Sequence, residues 1–455
     1  MKAKMLKTIG IIAFLAMIGL TLACNNDNGG GGGEQFTVSG ADFEAKLKEI
    51  RIVPGTYTIT LTSDVTDFPG ISLDSAGVNL TVKGNTEYRK ITWKRPEEGG
   101  SHLFLVGTGN TLTLENITLE RGNNTSMGWA LLVVRGGTLE IKNGVTMSNT
   151  FGGADGGSGV SLDRAGSVFT MSGGTIKDCG TAINSGGTVS DISIAITGGT
   201  IRDILWHGVA LWNECSNSRL TVSGGTLTGI GDNAIVVGGS GHTVNISGGK
   251  ITANDRGMLI TNEGRSNNFN ISGGEFVDNT YHGMEIRGSA NDINISNGKF
   301  NENGERGIQI NSSTTDNVLT ISGGEISSNG YAGMLIEGAG HTITMRGGTI
   351  RGNNTHGINI NDSAANGVTI NMSGGTISGN RNWGLIVGGP GSELIKTGGT
   401  IYGINADSNA NGDGAIRVPY NGGELAVRYG NATGNYSAKI NATKDGIASR
   451  QGNWD

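Results

Sequence analysis

Apolar residues alternate with polar ones in short runs, and Gly, Asn and Ser separate the runs. Ile293 and Ile295 alternate, Phe300 follows a turn, and Ile308 and Ile310 alternate again. In the next stretch Ile321, Ile326, Met334 and Ile336 take the equivalent places. Period-two alternation over three to five residues predicts short strands, three to a repeat. A marker recurs with them: an apolar residue, one residue, Gly-Gly, one residue, an apolar residue. Its first Gly falls at 173, 198, 224, 248, 273, a variant Asn297, 323, 347, 374 and 398, in steps of 25, 26, 24, 25, 24, 26, 24, 27 and 24. So constant a period is the signature of a solenoid. The Gly pair supplies positive φ angles that branched residues resist.

Coils of this length with three strands predict an all-β parallel β-helix, each coil stacked on the next at about 4.8 Å. Inward residues then meet their counterparts one coil away, so a coil buries little until its neighbour is present. Asn254, Asn279, Asn303, Asn329, Asn353 and Asn380 each lie five residues after the second residue of the marker pair, and the frame predicts an amide ladder from them. Open coil ends would offer strand edges to other chains, so caps are expected. Residues 41–50, ADFEAKLKEI, place Phe43, Leu47 and Ile50 on one helical face and predict a short N-terminal cap helix. Less regular coils follow, including TYTITL at 56–61, VNLTVKG at 78–84 and TLTLENITLERG at 111–122. The expected organisation is a leader over 1–23 and a tether over 24–34. The cap and first coils take 35–100, the regular repeats 101–402, and a C-terminal cap 403–455.

Composition narrows the partners. The chain has 82 Gly, 5 Pro, 16% charged residues and a formal charge of −6. There is no basic patch for nucleic acid and no G-X-Y period of collagen. Cys179 and Cys215 occupy different repeat positions, so no disulfide between them is expected. At the start, Lys2, Lys4 and Lys7 precede the apolar run Ile9–Leu22, which ends in Leu-Thr-Leu-Ala-Cys at Cys24. This resembles a bacterial lipoprotein signal of the relaxed spirochaete type, in which Cys24 would be lipidated; an ordinary cleaved signal peptide is the alternative. Asn25–Glu34, NNDNGGGGGE, reads as a flexible tether. An exported lipoprotein on the outer membrane or cell surface is the expectation.

LTLENITLERGNN, WALLVVRGGTL, the ISGGxI markers and the terminal GNWD resemble bacterial surface lipoproteins of the right-handed parallel β-helix class. That class shares its fold with pectate lyases and the pectin-lyase-like superfamily. The resemblance spans nearly all of residues 35–455. It implies the fold; polysaccharide lyases, glycoside hydrolases and adhesins all use it, so it does not select an activity.

Sites on such a fold are columns along an outer face. The best column is the residue before the strand Gly: His207, Asn233, Arg256, His282, Arg306, Ala332, His356 and Trp383, with Tyr281 and Tyr331 one position earlier. Arg and His can hold carboxylates, and aromatic rings can stack on sugars, so an acidic glycan is the expected ligand. Solvated turn residues are the alternative. The outward positions of the next strand, Glu285, Arg287, Gln309, Asn311, Leu335, Glu337, Asn359 and Asn361, are expected to form a solvated face. Glu285 on this face, together with Arg306 and His282 of the first column, makes up the catalytic candidates of an enzyme reading, with Arg306 in the basic role that an Arg plays in pectate lyases.

Two acidic patterns suggest calcium. Asp178, Asp203, Asp278 and Glu302 share one turn position. Asp407, Asn409, Asn411 and Asp413 match the first half of an EF-hand loop, but Val418 stands where the bidentate Glu belongs. The regularity of the repeat leaves no long inserts to build a cleft. The sequence therefore favours a non-catalytic glycan-binding rod or adhesin that needs no cofactor, with a polysaccharide lyase or hydrolase acting on acidic polysaccharide as the alternative.

Overall fold

The computed structural model describes residues 33–86, 88–94, 102–122, 130–149, 157–404 and 407–455. Cys24, the leader and most of the Gly-rich tether lie outside the described residues. So does most of GGADGGSG at 152–159.

The chain is a right-handed parallel β-helix. It opens with the strand Glu34–Val38 and the helix Phe43–Ile50, whose Phe43, Leu47 and Ile50 are buried against the first coils. Phe43 meets Phe68, and Phe68 meets Phe104, at ring separations of 5.3 and 5.8 Å. Each regular coil then contributes to three parallel sheets. The first holds strands such as Val318–Ile321 and Thr342–Met345. The second holds Glu325–Ser327 and Thr349–Arg351. The third holds Arg256–Ile260, His282–Ile286, Arg306–Ile310 and Met334–Ala339.

Register turns the sequence period into stacks. Phe269, Ile293, Leu319, Ile343, Ile370 and Leu394 lie one above another in the first sheet, each fully or almost fully buried. Every such side chain contributes roughly 1.5–3 kcal/mol. In the second sheet Phe276 stacks on Phe300 at 4.7 Å with ring planes 4° apart.

The Asn ladder forms as the repeat predicts, and it is one member longer. The backbone N–H and the Nδ2 of Asn254 both donate to Asn279 Oδ1, and the same pair of bonds repeats through Asn303, Asn329, Asn353 and Asn380. Asn380 then donates both bonds to Asn411 Oδ1 at 2.9 Å. Asn411 is fully buried, and its Nδ2 donates to the carbonyls of Ile377 and Tyr402. That corrects the EF-hand reading of this segment, because the Asn411 oxygen is committed to the ladder. Asp407 Oδ1 accepts from the backbone N–H of Asn409 at 2.7 Å, as in an Asx turn.

A second internal ladder escaped the sequence reading. Ser218 N–H donates to His242 Nδ1, His242 N–H to Asn267 Oδ1, Asn267 to Asn291, Asn291 to Asn317, and Asn317 N–H to His341 Nδ1.

The acidic turn column has a conformational cause. Asp178, Asp203, Asp278 and Glu302 have φ of 52°, 56°, 56° and 57°, and Ala253 and Ser328 share this left-handed geometry in their coils. Short polar residues tolerate it best. Lys177 and Arg202 pair with Asp178 and Asp203. Among the described residues no group of three or more His, Cys, Asp or Glu is arranged to hold a metal ion. Cys179 and Cys215 are both free and buried, and burial pushes the Cys179 thiol up to about 12.

At the C-terminal end the ladders turn antiparallel. Gly414–Tyr420 pairs with Gly423–Val427, and Tyr436–Ile440 closes on both Glu393–Lys396 and Ile447–Gln451. Reversal of strand direction ends the stack and removes the open parallel edge.

Candidate functional site

The third sheet differs from the other two on its outer face. Strands of the first sheet alternate buried and partly exposed residues, whereas Asn233–Val237, His282–Ile286 and Trp383–Val387 are buried at every position. Two rims shelter this face. One carries Trp206, Asp232, Tyr281, Glu305, Tyr331 and Thr355, tied coil to coil by backbone bonds such as Glu305 N–H to Tyr281 O and Tyr331 N–H to Glu305 O. The other carries Thr261, Arg287 and Asn311, whose backbone N–H groups donate to Val237, Ile260 and Ile286.

A local irregularity sends the candidate column into this recess. The strand Gly faces inward. A Cβ on Gly283 would lie 2.7 Å from Gly307 O and 3.1 Å from both Asn303 Nδ2 and Phe300 Cδ1, so only Gly fits over the ladder and the Phe stack. The preceding residue therefore points outward, on the same face as the residue three further on. Arg306 Nη1 donates to Gln309 Oε1 at 3.1 Å, which shows the two on one face.

Register places His207 beside Asn233, Asn233 beside Arg256, and His282 beside Arg306. The expectation of solvated turn residues fails for this column, because the rims cover it. The His207, Arg256, His282 and Arg306 side chains are exposed by 13%, 21%, 7% and 22%. Asn233 and Ala332 are buried. Trp383 is not open to a ligand: it packs with Ile386 and Ala426, and the Arg428 guanidinium lies 5.0 Å from its ring centre. His356 Nδ1 accepts from the Trp383 backbone N–H at 3.2 Å, and burial lowers its pKa. His356 also lines a shallow depression of about 280 Å³ with Arg306, Tyr331, Leu335, Asn359 and others.

The expected solvated face of the following strand is corrected in the same way. One outer position reads Ala210, Val236, Leu259, Glu285, Gln309, Leu335, Asn359 and Ile386 through successive coils. Val236, Leu259, Leu335 and Ile386 are buried there, and so is Glu285, only 3% exposed.

Glu285 is the hub. Its Oε1 accepts from Arg287 Nε at 2.7 Å and its Oε2 from Arg287 Nη2 at 3.1 Å. Arg256 Nε lies 2.8 Å from Oε2, but its N–H is not aimed at that oxygen, so this contact is ionic. Burial alone would raise the Glu285 pKa. The Arg287 bonds, His282 and the Arg256 charge reverse that and hold it below the usual carboxylate range. Arg256 also pairs with Asp232 at 3.1 Å, and Arg306 with Glu305 at 2.8 Å.

His282 sits between these arginines. Burial lowers its pKa to about 4, with Arg306, Arg256 and Arg287 adding to the effect and Glu285 opposing it. The ring is neutral at pH 7. Its Nδ1 is buried without a partner, and Nε2 lies 3.6 Å from Glu305 Oε2. Tyr281 and Tyr331 overhang the cluster from the rim, with Arg256 and Arg306 guanidinium carbons 5.1 and 5.5 Å from their ring centres. Both rings keep open faces, at 39% and 51% exposure.

The structure thus brings together Arg256, Tyr281, His282, Glu285, Arg306 and Tyr331. It leaves Trp383 covered, and it puts Asp413 at the far end of the first rim, its backbone N–H donating to Asn382 O, rather than at the Glu285 cluster. Sequence reasoning passed over Asp232 and Glu305, whose only signal was their place one residue before the column.

The right handed beta helix region family matches residues 233–411. That stretch contains the whole Glu285 cluster. No curated protein matches the chain. Among solved structures, the crystal structure of the periplasmic alginate epimerase AlgG is similar at 11% identity and TM-score 0.48, covering 74% of this chain and 82% of its own. The A-module of the Azotobacter vinelandii mannuronan C-5 epimerase AlgE6 is similar at 12% identity and TM-score 0.39, covering 78% and 94%. These likenesses concern the coiled architecture.

Proposed function

We propose that the recess around His282 takes an acidic polysaccharide along the helix axis and removes the proton at C5 of a uronate ring. One observation carries this. An outer position that accepts Val236, Leu259, Leu335 and Ile386 in other coils holds a buried, doubly ion-paired Glu285 here. The fold does not require a charge at this place, and a buried ion pair is weak evidence for stability. Buried, mutually perturbed titratable groups in a recess are more often sites of chemistry.

In this reading the uronate carboxylate takes guanidinium N–H groups of Arg306 and Arg256, and Glu285 is the positioning residue that holds the Arg256 guanidinium in the recess. Tyr281 and Tyr331 support the sugar faces. The arriving carboxylate adds negative charge beside His282 and raises its basicity. His282 Nε2 then accepts the C5 proton, and the C5–H electron pair passes into the carboxylate, where the guanidiniums stabilise it. Collapse of that pair can form a C4–C5 double bond as the C4–O glycosidic bond breaks, the leaving oxygen taking a proton from water. Alternatively water gives a proton to the opposite face of C5 and inverts it, and His282 returns its proton to the hydroxide so formed. Two-carboxylate hydrolysis fits less well. It needs one carboxyl held protonated, whereas Glu285 is held ionised.

A purely binding rod remains compatible with the regular repeat, but gives buried Glu285 no task. Residues 1–24 carry the leader pattern, and in this reading the protein is exported and held by lipid at Cys24, with its substrate outside the cytoplasm.

The test is Glu285→Leu, which copies Leu259 of the preceding coil. Arg256 keeps Asp232 and Arg287 reaches solvent, so the variant should remain folded at a cost of at most about 3 kcal/mol. Turnover of a polyuronate, followed by unsaturated products and by C5 inversion, should fall at least ~100-fold. A stable variant with undiminished turnover contradicts the reading, as does wild-type protein inert on a panel of polyuronates.

A further inference from the structure

The rim that carries Tyr281 and Tyr331 continues past the Glu285 cluster to a third exposed aromatic ring. Trp206 lies in the same column: Asp232 N–H donates to Trp206 O, Arg256 N–H to Asp232 O, and Tyr281 N–H to Asp255 O. The indole is 46% exposed. Its place on the rim is three coils from Tyr281, roughly 14 Å at strand spacing. At the same coil His207 lines the recess, with its ring edge-on to Trp212 at 5.2 Å. Trp212 Nε1 donates to Asn184 Oδ1, which fixes that ring on the opposite side of the recess. The His207 Nδ1 is buried and has no hydrogen-bond partner; the nearest carboxylate oxygen, on Asp232, is 3.8 Å away.

We propose that Trp206 and His207 form a distal sugar-binding subsite, so that the recess holds an extended run of the polysaccharide rather than one or two rings. The inference rests on the polysaccharide reading above, but not on its chemistry. The indole face offers an apolar platform for a pyranose ring, and the partly exposed His207 ring lines the recess beside it. The intervening coils carry Asp232 and Asp255 on the rim, with the Arg256 guanidinium paired to Asp232 and offering N–H donors to the polymer. An exposed indole in continuous line with Tyr281 and Tyr331 fits an elongated, repeating ligand better than a globular protein, whose interface would bury a broad apolar patch.

The experiment is affinity electrophoresis of the soluble chain, residues 25–455, in gels containing alginate or polygalacturonate, beside KM for long chains and for trisaccharides of the same polymer. The variants are Trp206→Ala, Trp206→Phe and, as a control, Tyr88→Ala, an exposed ring outside the recess. In Trp206→Ala the retardation constant and the long-chain preference should both drop about tenfold, the worth of one stacked ring. Trp206→Phe should restore most of it, and Tyr88→Ala should match wild type. Retardation that depends on Trp206 in a protein with no turnover keeps the subsite and sinks the chemistry. Turnover that is lost in Glu285→Leu but indifferent to Trp206 sinks the subsite alone. Wild-type protein unretarded by either polymer overturns both.

Discussion

Burial depresses the His282 pKa, three guanidiniums add to the effect, and this gives the fold an acid limit. All six histidines are shifted below 6.5, chiefly by burial, and His282 reaches about 4. The sign follows from linkage. Between pH 6.5 and about 4 the unfolded chain binds protons at His282 that the folded chain refuses, so stability present above pH 6.5 is lost as pH falls. The separation corresponds to on the order of 3 kcal/mol for this one residue. Chemical denaturation at pH 7, 5.5 and 4.5 should show a steady decline, and His282→Gln should remove part of it. A profile flat over that range would mean that His282 is protonated in the folded state. The residue types of this cluster were legible from the strand-Gly column. Their burial was not, because exposure depends on how far the two rims rise above the sheet.

The ladders are the elements that make one coil depend on the next. Asn303 receives two bonds from Asn279, gives two to Asn329, and donates from Nδ2 to Phe276 O. Replacing it by Ala strands the Asn279 amide in a dry interior. The expected loss is about 2–4 kcal/mol, more than one unsatisfied donor because two lose their acceptor. A urea titration of Asn303→Ala measures it; a loss below about 0.5 kcal/mol would mean that water fills the gap. This ladder was readable because Asn recurs at one spacing. The His242–Asn267–Asn291–Asn317–His341 ladder was not, because its members change type and only a shared register reveals them. Asn411 was missed for a related reason. The marker ends at Gly398, so nothing in the spacing tied Asn411 to Asn380.

At the scale of the whole molecule, regular coils were expected to leave no cleft, and that expectation supported a non-catalytic rod. The recess arises without long inserts. Rims one or two residues deep, raised beside a sheet of closely stacked strands, are enough to cover Glu285 and His282. The fold class followed from period and alternation, since these are properties of every coil. The site did not, since it depends on departures from the repeat in three consecutive coils. The central claim is that this recess abstracts the C5 proton of a uronate. The most direct measurement is proton NMR of a polyuronate incubated with the soluble chain in deuterium oxide. The account predicts loss of the C5–H signal, whether deuterium returns to C5 or a C4–C5 double bond forms, and no loss with Glu285→Leu. A C5–H signal that persists through prolonged incubation, in a protein that is folded and binds the polymer, would contradict it.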